Sequence, residues 1–124
     1  MIHLLMLLFL LFVIQPLIEY WLHRLVHRVH LTYHAEHHRH WSGGKYWRYT
    51  GDWAARAAIA ACVLAGWHTT ALMLLKYELV HSAIHIYPGF RYLHRHHFLH
   101  HRSNADCNFT FSAIWPDRLF GTAS

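Results

Sequence analysis

The chain has 124 residues, 55% of them hydrophobic and only 14% charged, and its sixteen histidines stand beside six acidic residues and a formal charge of +5. That length gives one domain at most, residues 1–124, with limited material for a water-soluble core. No zinc-finger spacing or glycine-rich phosphate loop is present, and the apolar content turns the basic balance toward an anionic lipid surface rather than nucleic acid.

Residues Ile2 to Ile18 run almost unbroken in Leu, Phe, Met, Ile and Val, and extension to Trp21 gives about twenty residues, roughly 30 Å of helix and enough to cross a bilayer core. A secretory signal would need a basic start and a small-residue cleavage site, and neither is present. Pro16 removes one helix hydrogen bond and is expected to kink the span. Every one of the eleven Lys and Arg residues follows, from Arg24 to Arg118. The positive-inside bias then puts the N-terminus outside and the histidine-bearing segments that follow the span on the cytoplasmic side.

From Leu22 to His40 the helical period continues, with His23, His27, His30, His34 and His37 in one stripe. A straight helix would spread that stripe over more than about 20 Å, so a bend is expected between His27 and His34, near Thr32. Residues 41–52 read as a loop, with Trp41, Tyr46, Trp47 and Tyr49 suited to the headgroup belt and Asp52 as the N-cap of the next helix. Trp53 to Val80 is apolar again, but its 28 residues fall short of the roughly forty that two crossings need. A short re-entrant hairpin with its turn near Gly66 and His68 is expected, and a second copy of the chain or a partner protein would pack around it. Pro88-Gly89 ends the following helix, a new one runs from about Phe90 to Arg102, and Trp115-Pro-Asp-Arg reads as a turn. The fold expected is thus an all-α integral membrane protein: one N-terminal transmembrane helix, a re-entrant helical hairpin, and cytosolic helices carrying histidines.

Those histidines repeat. His23 and His27, then His34, His37 and His38, form an H-x3-H pair and an H-x2-H-H cluster; His81 and His85, then His97, His100 and His101, form them again. Residues three and four apart share a helix face, so each set can aim two or three imidazoles at one point. Neutral imidazole is a common ligand of iron, copper and zinc, and the absence of paired cysteines argues against a structural zinc knot. Cys62 and Cys107 form no C-x-x-C and read as incidental thiols. Glu19 and Glu78, four and three residues before His23 and His81, are candidates to accept the second ring N–H of a ligand. A lone histidine is more often structural or solvated, the reading open to His3, His30, His40, His68, His94 and His96.

Glu19-Tyr-Trp-Leu-His23-Arg-Leu-Val-His27, His34-Ala-Glu-His37-His38, His81-Ser-Ala-Ile-His85 and His97-Phe-Leu-His100-His101 resemble the boxes of the fatty acid hydroxylase/sterol desaturase superfamily. The closing Ile114-Trp-Pro-Asp-Arg-Leu-Phe-Gly-Thr122 is also similar, so the resemblance covers most of the chain. It implies a membrane di-metal oxygenase with two iron ions, zinc being a substitute. O2 would be the co-substrate, a membrane lipid the substrate and a separate protein the electron donor. By position, the ten box histidines would be ligands, and His96, which extends the last box, is a candidate eleventh. Relatives usually carry more transmembrane helix before the first box and a longer insert between the second and third, so the lipid tunnel is not carried over. A non-catalytic membrane metal handler and an inactive relative stay open as alternatives.

Overall fold

A computed structural model describes residues 2–40, 52–102 and 106–124, and among these the regular structure is all helical. The expected loop of residues 41–51, with its four aromatic residues, lies outside the described residues.

The first helical rod runs from Ile2 to Arg28 and is long and apolar enough to cross a membrane. It consists of α1 (Ile2–Phe9), a π-helical stretch (Leu10–Ile14) and α2 (Gln15–Arg28). The π stretch is where the chain deals with Pro16. The Gln15 N–H bonds five residues back, to the Leu10 carbonyl. In that register the partner of the Leu11 carbonyl is Pro16, which has no N–H to give. Lys76 supplies the donor instead, its Nζ lying 2.6 Å from the Leu11 oxygen. Gln15 returns the contact by donating to the Met73 carbonyl at 2.9 Å. A backbone defect in an apolar rod is thereby satisfied by side chains, as burial away from water demands.

The bend between His27 and His34 comes after α2, and α3 (Thr32–Arg39) restarts the helix. Its device is a C-terminal cap: the N–H of Leu31 reaches the Val26 carbonyl, the N–H of His30 reaches that of His27, and His30 takes φ 49°. This is the Schellman arrangement with histidine in the left-handed position usually held by glycine.

Glycine holds that position in the next such turn. α4 (Asp52–Leu64) and α5 (His68–Ile86) form a helical hairpin. Between them Gly66 sits at φ +75°, with Trp67 N–H on the Cys62 carbonyl and Gly66 N–H on that of Val63. The turn falls where the sequence puts it. No atom lies within 4 Å of where a Cβ would be on Gly66, so the cost of a side chain there is all backbone. Gly66→Ala is expected to lower stability by about 1 kcal/mol. Gly89→Ala, at an ordinary φ in equally open space, is expected to lower it not at all. Thermal midpoints of the two purified variants check the contrast.

Pro88 holds Tyr87 extended and starts a short α6 (Pro88–Leu93), and after a break at His94 comes α7 (Arg95–Arg102). The single helix expected from Phe90 to Arg102 is thus two. Beyond it, residues 107–111 cross the histidine helices as an irregular strap, and α8 (Trp115–Leu119) closes the chain. The strap and α8 dock on α2 through Tyr20, which is fully buried, stacks on Phe120 and meets Phe109 edge to face.

Candidate metal centre

The ten box histidines come from four helices and collect into two groups of five. His23 and His27 of α2, His34 and His38 of α3 and His100 of α7 form the first group. His81 and His85 of α5, His97 and His101 of α7 and His37 of α3 form the second. Within each group the ligating nitrogens all lie within 4.8 Å of one another. Helix geometry permits this sorting, and the packing of the helices decides it. On α3, His34 and His38 are one turn apart and share a face, while His37 points about 100° away from His38. On α7, His97 and His101 share the face and His100 points aside. Each half of the chain therefore keeps four imidazoles for its own group and lends one to the other.

The distances fit a cation. In the first group neighbouring Nε2 atoms lie 2.9 to 3.2 Å apart. In the second, the pairs His81–His85, His85–His97 and His97–His101 lie 3.3, 3.4 and 3.1 Å apart. A metal with bonds of about 2.1 Å to imidazole, set at right angles, puts adjacent nitrogens about 3.0 Å apart. Five nitrogens facing one another without a cation would set lone pair against lone pair, which is costly in a site this buried.

The tautomers point the same way. His23 donates its Nδ1–H to the Phe109 carbonyl at 2.5 Å, and His100 donates its Nδ1–H to the Cys107 carbonyl at 2.7 Å. Each bond leaves an Nε2 lone pair aimed at the centre of the first group and fixes the ring plane. Both carbonyls belong to the strap, whose Phe109 ring also lies against His27 and His100, while the ring of Phe111 lies against His81 and His97.

The strap is itself held by one carboxylate. Asp117 is fully buried; Oδ1 accepts from the Phe109 N–H at 2.7 Å and from the Thr122 hydroxyl at 2.8 Å. Oδ2 accepts from the Thr110 N–H at 2.9 Å and from the Thr110 hydroxyl.

The comparisons with known proteins bear on this arrangement. The family model described as fatty acid hydroxylase matches residues 8–122. The chain belongs to the fatty acid hydroxylase family. No curated protein and no solved structure matches it. Membership in the fatty acid hydroxylase family carries lipid hydroxylase or desaturase chemistry as a class, a membrane association and a use for the histidine clusters.

In this member of the family the two expected carboxylate partners do something else. Glu19 is buried but accepts from the Ser112 hydroxyl at 2.6 Å, and the ring N–H of His23 goes to the strap. Glu78 is buried and pairs with Arg56 at 3.0 Å, with the Ser82 hydroxyl at 3.5 Å from the same oxygen. Both acids brace helices, and the acceptors that fix the rings of His23 and His100 are backbone carbonyls. His96, the candidate eleventh ligand, is buried outside both groups, its ring 5.8 Å from that of His94. His94 donates to the Phe111 carbonyl at 2.7 Å, His30 makes the turn, and His3 and His68 join neither group. Cys62 and Cys107 are not joined in a disulfide, and the Cys107 sulfur accepts from the Ser124 hydroxyl at 3.3 Å.

Burial keeps the imidazoles neutral. His34 and His38 are each lowered to about 3, first by loss of solvent and then by neighbouring imidazoles. His37, His97 and His101 are held well below the ordinary histidine value by the same two causes in that order. Neutral rings are the form that binds a metal at neutral pH. The first group also faces a cleft of about 940 Å³, where His27, His34 and His38 share the lining with Arg24, Arg28 and Arg102.

Proposed function

We propose that the chain is a membrane-bound di-iron oxygenase that hydroxylates or desaturates a lipid C–H bond, of a fatty acyl or sterol-type substrate, with O2 and electrons from an external donor protein. The observation that carries this reading is the sorting of ten imidazoles into two groups of five, each one short of an octahedral set and so leaving a position for a reactant. Two bound irons would supply the redox chemistry that oxygen activation needs; zinc would fill the same nitrogens without that capacity. The rings of Phe109 and Phe111 lie along the imidazoles and would help keep water from the oxidising site. A groove of about 370 Å³ on the α4–α5 hairpin, lined by Ile59, Leu75 and Leu79, reaches Ser82 beside His81, and a lipid chain would lie along it. The cleft over the first group is the side from which electrons would arrive.

In the membrane, the Ile2–Arg28 rod would cross with its N-terminus outside, leaving both histidine groups toward the cytoplasm, in line with the position of every Lys and Arg. The 13 residues of α4 make about 20 Å of helix, too short for a core of roughly 30 Å. That length favours a hairpin that dips in and returns, with a second copy of the chain or a partner protein covering its outer face.

The test is metal analysis and turnover on one preparation. Detergent-purified protein is expected to hold two irons per chain and, given O2 and a reductant, to oxidise an added lipid. Folded protein that takes up no metal would sink the reading.

A further inference from the structure

We infer that Asp117 is a positioning residue for one of the two metal positions: it holds the first group of imidazoles in ligating geometry and leaves the second to itself. The inference rests on the proposed metal-binding role of the groups and adds an asymmetry between them.

Asp117 is fully buried and takes four donors, three of them from the strap: Phe109 N–H, Thr110 N–H and the Thr110 hydroxyl. A carboxylate between two successive backbone N–H groups fixes the peptide planes on either side of Phe109. The orientation of the Phe109 carbonyl follows, because it lies in the plane whose N–H, that of Thr110, Asp117 grips. The Cys107 carbonyl is fixed one step further along. Asn108 carries φ 53°, and its side chain is tied to Ser124, with Nδ2 on the Ser124 hydroxyl at 2.8 Å and Oδ1 accepting from the Ser124 N–H at 3.0 Å. The two carbonyls so presented receive the ring N–H groups of His23 and His100.

Both of those histidines belong to the first group. The strap's third carbonyl in alternation, that of Phe111, receives His94, which is in neither group. The strap touches the second group through the Phe111 ring, against His81 and His97, and a ring contact fixes neither a tautomer nor a lone-pair direction. Asparagine in place of Asp117 would put an amide N–H₂ against donors on one side, loosening the strap and with it the acceptors for His23 and His100. Loss of such ring-orienting partners weakens metal binding by about 10- to 100-fold.

The experiment is a titration of metal-free full-length protein, in detergent, with Co(II). His38→Ala and His101→Ala serve as references for loss of the first and the second position. Wild type is expected to take two equivalents. Asp117→Asn is expected to keep one tight equivalent and to bind the other about 10-fold or more weakly, with a residual optical spectrum like that of His38→Ala. Circular dichroism reports the fold. Should Asp117→Asn lose its helical signal, the pair Thr110→Val and Thr110→Ser decides: selective weakening of the first position in the former and rescue in the latter is the expected result. Two wild-type equivalents in folded Asp117→Asn, a spectrum like that of His101→Ala, or equal weakening of both positions overturns the inference. Wild type that binds no cobalt overturns the metal reading itself and this inference with it, a result distinct from any of those three.

Discussion

Replacing His100 with alanine is expected to empty the metal position built mainly by the first half of the chain, although His100 lies in the second half. Replacing its neighbour His101 is expected to empty the other. A direct ligand matters more than the partners that orient it, whose loss already costs about 10- to 100-fold in affinity, so each variant should retain about one metal per chain after desalting. Turnover should fall below detection in both, since the proposed chemistry needs both ions. The reciprocal case is His37→Ala, which sits beside His38 yet should behave like His101→Ala. The check is iron per chain by elemental analysis, together with the Co(II) spectrum of the retained site. If His100→Ala and His101→Ala leave the same spectrum, the assignment of His100 to the first group and His101 to the second is wrong.

Metal-free protein is expected to lose stability steeply on mild acidification. His34 and His38 are lowered to about 3 in the folded chain, and His37, His97 and His101 are lowered as well. An unfolded histidine titrates near 6.5. Between those values the unfolded chain binds more protons, so stability is complete above about pH 6.5 and drains as the pH falls toward 3. Each imidazole that stays neutral costs about 1.4 kcal/mol per pH unit in that window, and several do so together. A drop of several kcal/mol from pH 8 to pH 5.5 is a large part of a small protein's stability. Thermal midpoints of chelator-treated protein across that range measure it. A flat profile would mean that the rings are open to water and that the groups are not packed as described.

The site was legible in the sequence to the extent that it is local. The H-x3-H and H-x2-H-H spacings name the residues that the structure gathers, because helical period alone decides which imidazoles share a face. The turn at Gly66 was legible for the same reason. The bend after His27 could be inferred only from distance, since its left-handed position is filled by His30 and carries no breaker for the eye to find. What escaped is what depends on chain returning from afar. Which ion receives His37 and His100 is set by how α3 and α7 are rotated against their neighbours, and no spacing encodes it. Nearness in sequence points Glu19 at His23, but its partner Ser112 is 93 residues away. Residues 107–111 alternate apolar and polar over only five positions, and side-chain pattern does not say which backbone carbonyls will orient the rings. Asp117 reads as a turn residue in the sequence because its four donors meet it only when the strap folds back over α8.

The exchange of one imidazole between the halves has a consequence for the order of events during synthesis. When residue 99 has been added to the growing polypeptide, the first pocket still lacks its fifth nitrogen and the second lacks its own. Residues 100 and 101 then complete the two in immediate succession. Neither cup can be finished before the other is nearly complete, so uptake of the two proposed metals would wait for residues 100 and 101 and come nearly at once, when both arms of the site are already present to be clasped together.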